Sequence, residues 1–345
     1  MATVLVIGAA GYFGRLLIDD LLHHVRCNVV LGGRRVVSSS GLETRTADLS
    51  ARASLERALN DIDIVICTAG PYQQLPLFLV ELCLQRGIHY IDLADNRDFV
   101  QRVHALTAKW NHVQSAVCAG WSTVSALSGL LAKIASNGMK SVESIYFQMA
   151  PGNRGARQAA TIASLLHSVG REFRIIRNGQ WHNVTGWSDP RDFLFPLPIG
   201  KRRGYLVDVP DHAIFPDLFA ARTVEFRAGS ELAFLNGCLS LLRRTRKSWT
   251  GWAGVFQRAA ALLSWVGHDS GAIGVEVTGS GRQRACVVAD SRGERIATMP
   301  ATVMTGLLIS GRVRHGLVSY SDWLSAEQLR MECGRRGFRL IVEEY

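Results

Sequence analysis

Thr3-Val4-Leu5-Val6-Ile7 is a short apolar run rich in β-branched residues, and Gly8-Ala9-Ala10-Gly11-Tyr12-Phe13-Gly14 follows it directly. A helical pattern begins at once, with Phe13, Leu16, Leu17, Leu21 and Leu22 on one face of Tyr12–Val25. A buried strand that passes through a glycine-rich turn into a helix at the start of a chain leaves few folds open. Gly8 permits the tight turn off the strand, Gly11 lets a ligand approach the backbone, and Gly14 lets the helix pack closely on the sheet. The helix N-terminus offers N–H groups and the positive end of its dipole to phosphates. In this context the spacing predicts a dinucleotide site, with Gly8, Ala9, Ala10, Gly11, Tyr12, Phe13 and Gly14 around the pyrophosphate.

The following segments keep the rhythm that such a site requires. Strands are expected at Asn28–Leu31, Thr44–Ala47, Ile62–Cys67, His89–Leu93 and Ala116–Ala119. Helices are expected at Ala51–Leu59, Pro76–Arg86 and Asn96–Asn111. Strands alternating with helices predict an α/β fold, here an N-terminal Rossmann, doubly wound parallel sheet over residues 1–124. Beyond it, Val142–Met149, Glu172–Arg177, Thr223–Ala228, Ile273–Thr278 and Ala285–Ala289 read as strands. Ala156–Val169 and Ser230–Leu242 read as helices, and Thr185–Pro216 as irregular. This predicts a second α+β domain, residues 125–300, with a mixed, mostly antiparallel sheet. Helices at Ala301–Ser310 and Ser321–Gly334 are expected to carry residues 301–345 back to the first domain. A chain of 345 residues suits two domains.

The end of the second strand selects the cofactor. An Asp or Glu there holds the ribose 2′-hydroxyl of NAD, but the chain reads Leu31-Gly32-Gly33-Arg34-Arg35, with Ser38-Ser39-Ser40 beyond. Guanidinium forks and hydroxyls suit a 2′-phosphate, so NADP(H) is favoured over NAD(H), with Gly33, Arg34, Arg35 and Ser38 around it. The alternative is that the arginines are solvated charges. In Ala47-Asp48-Leu49, Asp48 either accepts from the adenine amino group, beside Leu49, or caps the next helix. Thr68-Ala69-Gly70-Pro71-Tyr72 ends the fourth strand, and its backbone, with Ala69, Gly70 and Pro71 foremost, is expected to face the nicotinamide ribose.

Composition narrows the chemistry. Hydrophobic residues make up 48% and charged residues 20%, which excludes disorder and small disulfide-stapled scaffolds. No apolar run is long enough to span a bilayer, and the N-terminus does not read as a signal peptide. A cytoplasmic protein with reduced thiols is expected, since the seven cysteines are scattered and never spaced as metal ligands. No tyrosine has a lysine four residues on, which excludes the Tyr-x-x-x-Lys reductase mechanism, and no G-x-S-x-G elbow is present. The first 124 residues are charge-neutral, so the net +10 arises entirely beyond them. A basic second half favours an anionic small-molecule substrate. No nucleic-acid-binding signature is present.

Together, Gly8–Gly14, Cys67-Thr68-Ala69-Gly70-Pro71-Tyr72 with Leu79–Asp95, and Ala119-Gly120-Trp121-Ser122-Thr123-Val124-Ser125 resemble the saccharopine dehydrogenase-like oxidoreductases. Pro151-Gly152-Asn153-Arg154-Gly155, Gly200-Lys201-Arg202-Arg203 and Asp208-Val209-Pro210-Asp211 resemble them more weakly. The resemblance implies a Rossmann domain, a mixed-sheet substrate domain and, commonly, a homodimer. It also implies hydride transfer at a C=N or C=O carbon, that is, CH–NH or CH–OH donors, with substrate bound between the domains. Pro71-Tyr72 matches a Pro-Tyr that faces the nicotinamide, making Tyr72 a candidate proton donor. Ser122-Thr123 stands where saccharopine enzymes carry Asp-Pro, which argues against saccharopine itself.

Asp92 and Asp95, at the end of the fifth strand, are candidates to orient an amine or act as base; alternatively Asp95 or Asn96 caps the next helix. Trp121, Ser122, Asn153, Arg154, Arg202, Arg203 and His212 are candidates for substrate binding, with solvated loop charge as the alternative for the basic ones. Arg243-Arg244-Thr245-Arg246-Lys247-Ser248-Trp249 runs into Trp252, Phe256, Ala259–Leu263 and Trp265. This segment, 243–265, reads as a possible peripheral membrane contact, a buried helix or a dimer face. The competing functional class is a non-catalytic NADP(H)-binding sensor or scaffold, free or docked at a membrane.

Overall fold

The computed structural model describes residues 1–35, 41–154, 166–245, 249–252, 254–256, 258 and 266–344. Two compact units are present, one of Met1–Ala126 with Ala297–Trp323, the other of Leu127–Ile296 with Leu324–Tyr345.

The first unit is built on seven strands: β1 (Thr3–Ile7), β2 (Asn28–Gly33), β3 (Thr44–Thr46), β4 (Ile64–Cys67), β5 (His89–Asp92), β6 (Ala116–Cys118) and, late in the chain, β15 (Gly316–Leu317). Their order is β15-β6-β5-β4-β1-β2-β3, and every pairing is parallel. Val4, Leu5, Val6, Ile64, Val65 and Ile66 are almost wholly buried, as expected of central strands covered on both faces. Helices α1 (Tyr12–His24), α2 (Arg52–Ala58), α3 (Phe78–Arg86) and α4 (Arg97–Ala108) make the crossovers. Because the strand order reverses between β1 and β4, their carboxyl ends form the crevice where doubly wound sheets take ligands.

The second unit carries the sheet β10-β11-β12-β7-β13-β14-β16. Its strands are β7 (Val142–Pro151), β10 (Arg191–Leu194), β11 (Lys201–Leu206), β12 (Thr223–Ala228), β13 (Gly271–Gly279), β14 (Arg282–Ala289) and β16 (Phe338–Glu344). Only β7 and β12 pair in parallel, so the expectation of a mixed, mostly antiparallel sheet holds. A hairpin of β8 (Glu172–Arg177) and β9 (Gln180–Thr185) stands apart. The strand period of two separates the faces. Ile145, Phe147, Val224, Phe226, Val275 and Val277 are buried on one face, where Phe147 meets Phe215 of the helix Asp211–Phe219 at 5.6 Å. Their neighbours Tyr146, Glu225 and Glu276 stand side by side in register on the other.

Two expectations need correction. Thr185–Pro216 is not irregular: it holds β10, β11 and most of the helix Asp211–Phe219. The run of three cations Lys201-Arg202-Arg203 hid β11, whose partner β10 offers Asp192 to both Lys201 and Arg203. Residues 301–345 do not stay together: the chain to Trp323 belongs to the first unit, and from Leu324 it belongs to the second. There β16 pairs antiparallel with β14, and the last helix begins only at Ala326, behind a Ser325–Gln328 capping box. The expected helix at Ala156–Val169 lies largely outside the described residues.

Candidate nucleotide site

Gly8 ends β1 with φ +90°, and a Cβ there would stand 2.7 Å from Thr68 Oγ1 and 2.8 Å from the Ala69 nitrogen. Conformation and space therefore both demand glycine. The turn is drawn in by the Gly8 N–H, which donates to Gly32 O at 2.9 Å, and by the Gly11 N–H, which donates to Gly8 O at 2.8 Å. A Cβ on Gly14 would lie 2.2 Å from Gly8 O, so α1 could not sit this close with any other residue. Gly11 is the extended N-cap of α1 and gives no side-chain cap, and the first turn holds no acidic residue. Ala10 and Gly11 are exposed, Tyr12 and Phe13 half-buried, and Ala9 buried. An exposed, uncapped helix start behind a glycine cradle is an anion-binding geometry.

Arg34 and Arg35 leave the end of β2 exposed, next to half-buried Gly33. Asp48 Oδ1 accepts from the Ser50 N–H at 3.0 Å and from Ser50 Oγ at 2.7 Å. These bonds, with help from the Arg34 charge, hold the Asp48 carboxyl below its ordinary range. Asp48 does not cap α2, whose N-cap is Ala51; its carboxylate orders the turn facing Arg34. Leu49 is half-buried beside it. Ser38 lies outside the described residues.

At the end of β4, the Thr68 N–H and Oγ1 both donate to Ile7 O, at 2.8 and 3.0 Å, tying this strand end to the glycine turn. Thr68 opens the segment expected at the nicotinamide ribose, but the sequence does not show that its hydroxyl ties β4 to the glycine turn. Ala69 is half-buried, Gly70 and Pro71 are exposed, and the Gly70–Pro71 peptide is cis. Tyr72 is 7% exposed, with its hydroxyl donating to Cys67 O at 2.9 Å and accepting from the Leu93 N–H at 3.2 Å. Burial pushes this phenol well above its ordinary pKa. In this geometry Tyr72 clamps the ends of β4 and β5 together, because its one proton is already committed to a backbone carbonyl.

Asp92 is fully buried, and its Oδ1 accepts from the Ala94 N–H at 2.9 Å and the Gly120 N–H at 2.7 Å. Burial raises its pKa to about 6, against the opposing pull of those N–H groups. It thus fastens the turns after β5 and β6. Asn96, rather than Asp95, caps α4, accepting from the Phe99 N–H. Asp95 is half-buried, and its charge acts on Tyr72. Trp121 is wholly buried, donates its backbone N–H to Asp92 O at 2.7 Å, and stacks its ring on Tyr320 at 5.5 Å. Ser122 is 9% exposed. Trp121 is therefore core in this unit, covered by the returning segment, where Tyr320 Oη also donates to Ala119 O. No sequence pattern marked Tyr320.

The remaining candidates lie in the second unit. Asn153 is buried, with its N–H on Glu231 Oε2 at 3.1 Å and its side chain donating to Val266 O. Arg202 approaches Glu231 at 4.0 Å, and Arg203 pairs with Asp192. Arg154 is exposed. His212 is wholly buried, accepts the Phe226 N–H at its Nε2 at 2.9 Å and stacks on Phe173. An acceptor Nε2 and complete burial make His212 a neutral core residue, which corrects its reading as a carboxylate clamp. The structure does bring Asn153 and Arg202 together, around Glu231. Among the described residues no group of His, Cys, Asp and Glu could hold a metal.

The sequence of residues 4–118 matches the family model of the saccharopine dehydrogenase NADP binding domain. The similarity to that domain family covers the strands and helices from β1 to β6. Among solved structures, saccharopine dehydrogenase (L-Glu forming) from Saccharomyces cerevisiae is similar over 100% of both chains, with a TM-score of 0.66 and 12% identity. An engineered D-amino acid dehydrogenase bound to NADP+ is similar over 95% of this chain and 98% of its own, with a TM-score of 0.50 and 11% identity. At such identities the likeness is one of fold. No curated protein matches the sequence. The saccharopine-type NADP-binding domain accounts for the cradle at Gly8–Gly14, and the fold likeness extends across both units.

Proposed function

We propose that the protein is an NADP(H)-dependent oxidoreductase acting at a C=N or C=O carbon of an anionic small molecule, working as a cytoplasmic homodimer. The observation that carries the reading is the match of an NADP-binding domain to a chain whose Gly8 and Gly14 leave no room for a Cβ. The residues fit the cofactor: Ala10 and Gly11 would present the uncapped start of α1 to the pyrophosphate, with Ala9, Tyr12 and Phe13 shaping the turn. Arg34 and Arg35 would take the 2′-phosphate. The backbone of Ala69, Gly70 and Pro71 would border the ribose next to the nicotinamide. When bound, the cofactor supplies the hydride chemistry. Within the first unit, Asp95 is the half-buried carboxylate at the sheet edge suited to hold a proton or orient an amine. The positive second unit favours anionic substrates.

A second reading, a sensor that binds NADP(H) without turnover, is favoured by one observation. The Tyr72 hydroxyl and the Asp92 carboxylate, two of the three acid–base candidates, are both engaged with backbone. Fluorescence titration with NADPH and NADH, read alongside turnover on keto and imino acids, tests both. NADPH-selective binding with turnover supports the enzyme, binding without turnover on any compound supports the sensor, and binding of neither nucleotide overturns both.

A further inference from the structure

The helix Ala233–Leu242 of the second unit is apolar on two sides. Leu239, with half-buried Leu242, packs inward on a core of Leu166, Val169, Trp187, Tyr205 and Trp249. Such a helix ordinarily has a polar outer face. Here the outer face carries Phe234 and Leu241, 57% and 64% exposed. Past the helix, Trp252 meets Trp249 of the same core edge-on at 5.8 Å yet is 41% exposed, and Val255 is 56% exposed. Scattered exposed apolar residues are ordinary, but a contiguous patch marks a contact surface.

Charge identifies the occupant. Residues 232–268 contain Arg243, Arg244, Arg246, Lys247 and Arg258 and no Asp or Glu. Arg244 and Arg258 are exposed, each three residues beyond an exposed apolar residue, Leu241 and Val255. A second copy of the chain would bring two such positive faces together, which like-charge repulsion opposes. A nucleic acid would meet the cations but leave Phe234, Leu241 and Val255 in water. An anionic bilayer surface satisfies both features, since cations meet the headgroups while Phe, Leu and Trp enter the interface.

We propose that this patch docks the protein peripherally on membranes rich in anionic lipid, with Phe234, Leu241 and Trp252 inserted and Arg244 and Arg258 against the headgroups. The test is co-sedimentation of the full chain with phosphatidylcholine vesicles, with and without phosphatidylglycerol. Binding is expected only with phosphatidylglycerol and should weaken as salt is raised. Phe234→Ser combined with Leu241→Ser should reduce it at least about tenfold, since each side chain loses apolar burial in the interface. Both side chains are largely exposed, so the fold should survive, and an unchanged melting temperature verifies it. Arg244→Glu with Arg258→Glu should weaken binding at low salt and reduce its salt dependence. Absence of binding, or equal binding to both vesicle types, would overturn the proposal. So would a dimer in sedimentation velocity that the double serine variant dissociates, or retention by a polynucleotide in place of the vesicles.

Discussion

At the scale of single residues, Asp92 shows how a site-edge carboxylate can be structural. Its pKa rises from 3.8 to about 6 because burial disfavours the charge. The folded protein therefore holds this proton more tightly than the unfolded chain, and stability falls as pH rises through that window. The span corresponds to about 3 kcal/mol. Asp92→Asn keeps an oxygen for the Ala94 and Gly120 N–H groups, so urea unfolding across that window should show a flatter pH dependence. Asp92→Ala leaves both N–H groups without their acceptor and should cost about 2–5 kcal/mol. Tyr72→Phe should lower stability by about 1–2 kcal/mol while NADPH binding persists. A selective fall in kcat without that loss would restore Tyr72 to catalysis. Arg34→Ala with Arg35→Ala should weaken NADPH by at least about tenfold in the titration, consistent with the loss of charged hydrogen bonds, and leave NADH nearly unchanged. Equal losses would defeat the 2′-phosphate assignment.

At the scale of elements, the turn between β1 and α1 is the part most tightly determined by local sequence. Gly14→Ala would force α1 away from Gly8 O, so a cost of about 1–3 kcal/mol is expected. The same shift should weaken nucleotide binding, read by calorimetry, because the helix start moves with the turn. The two roles share one cause, the close approach of α1 to the strand end. The elements after β5 and β6 follow another logic. Asp92, Gly120 and Trp121 lock to one another, and Tyr320 closes over Trp121 from a segment far along the chain. Strand and helix periodicity revealed β1, α1, β4 and β5 because each buries a simple apolar pattern. It missed β10 and β11 because clustered charges, paired across the strands through Asp192, replace an apolar alternation there.

At the scale of the whole molecule, the chain crosses three times between its two units, and its last crossing gives β16 to the second sheet. A chain ending at Trp323 would lose both β16 and the helix Ala326–Arg335, leaving β14 as an open edge. Lower yield, aggregation and a reduced thermal transition are expected, checked by circular dichroism and light scattering. NADPH binding by whatever stays soluble would show that the first unit tolerates the loss. The sequence by itself determined the parallel sheet, the glycine cradle, the missing acid after β2 and the likeness of residues 4–118 to an NADP-binding domain. Each is written in contiguous residues whose period or chemistry acts locally. Only the tertiary structure decided that Tyr72 is a clamp, that His212 is a neutral core acceptor, that Trp121 is sealed by Tyr320, and where residues 324–344 belong. Burial and hydrogen-bond partners in these cases come from residues distant in sequence, and an isolated Tyr, His or Trp carries no mark of the partner it will meet.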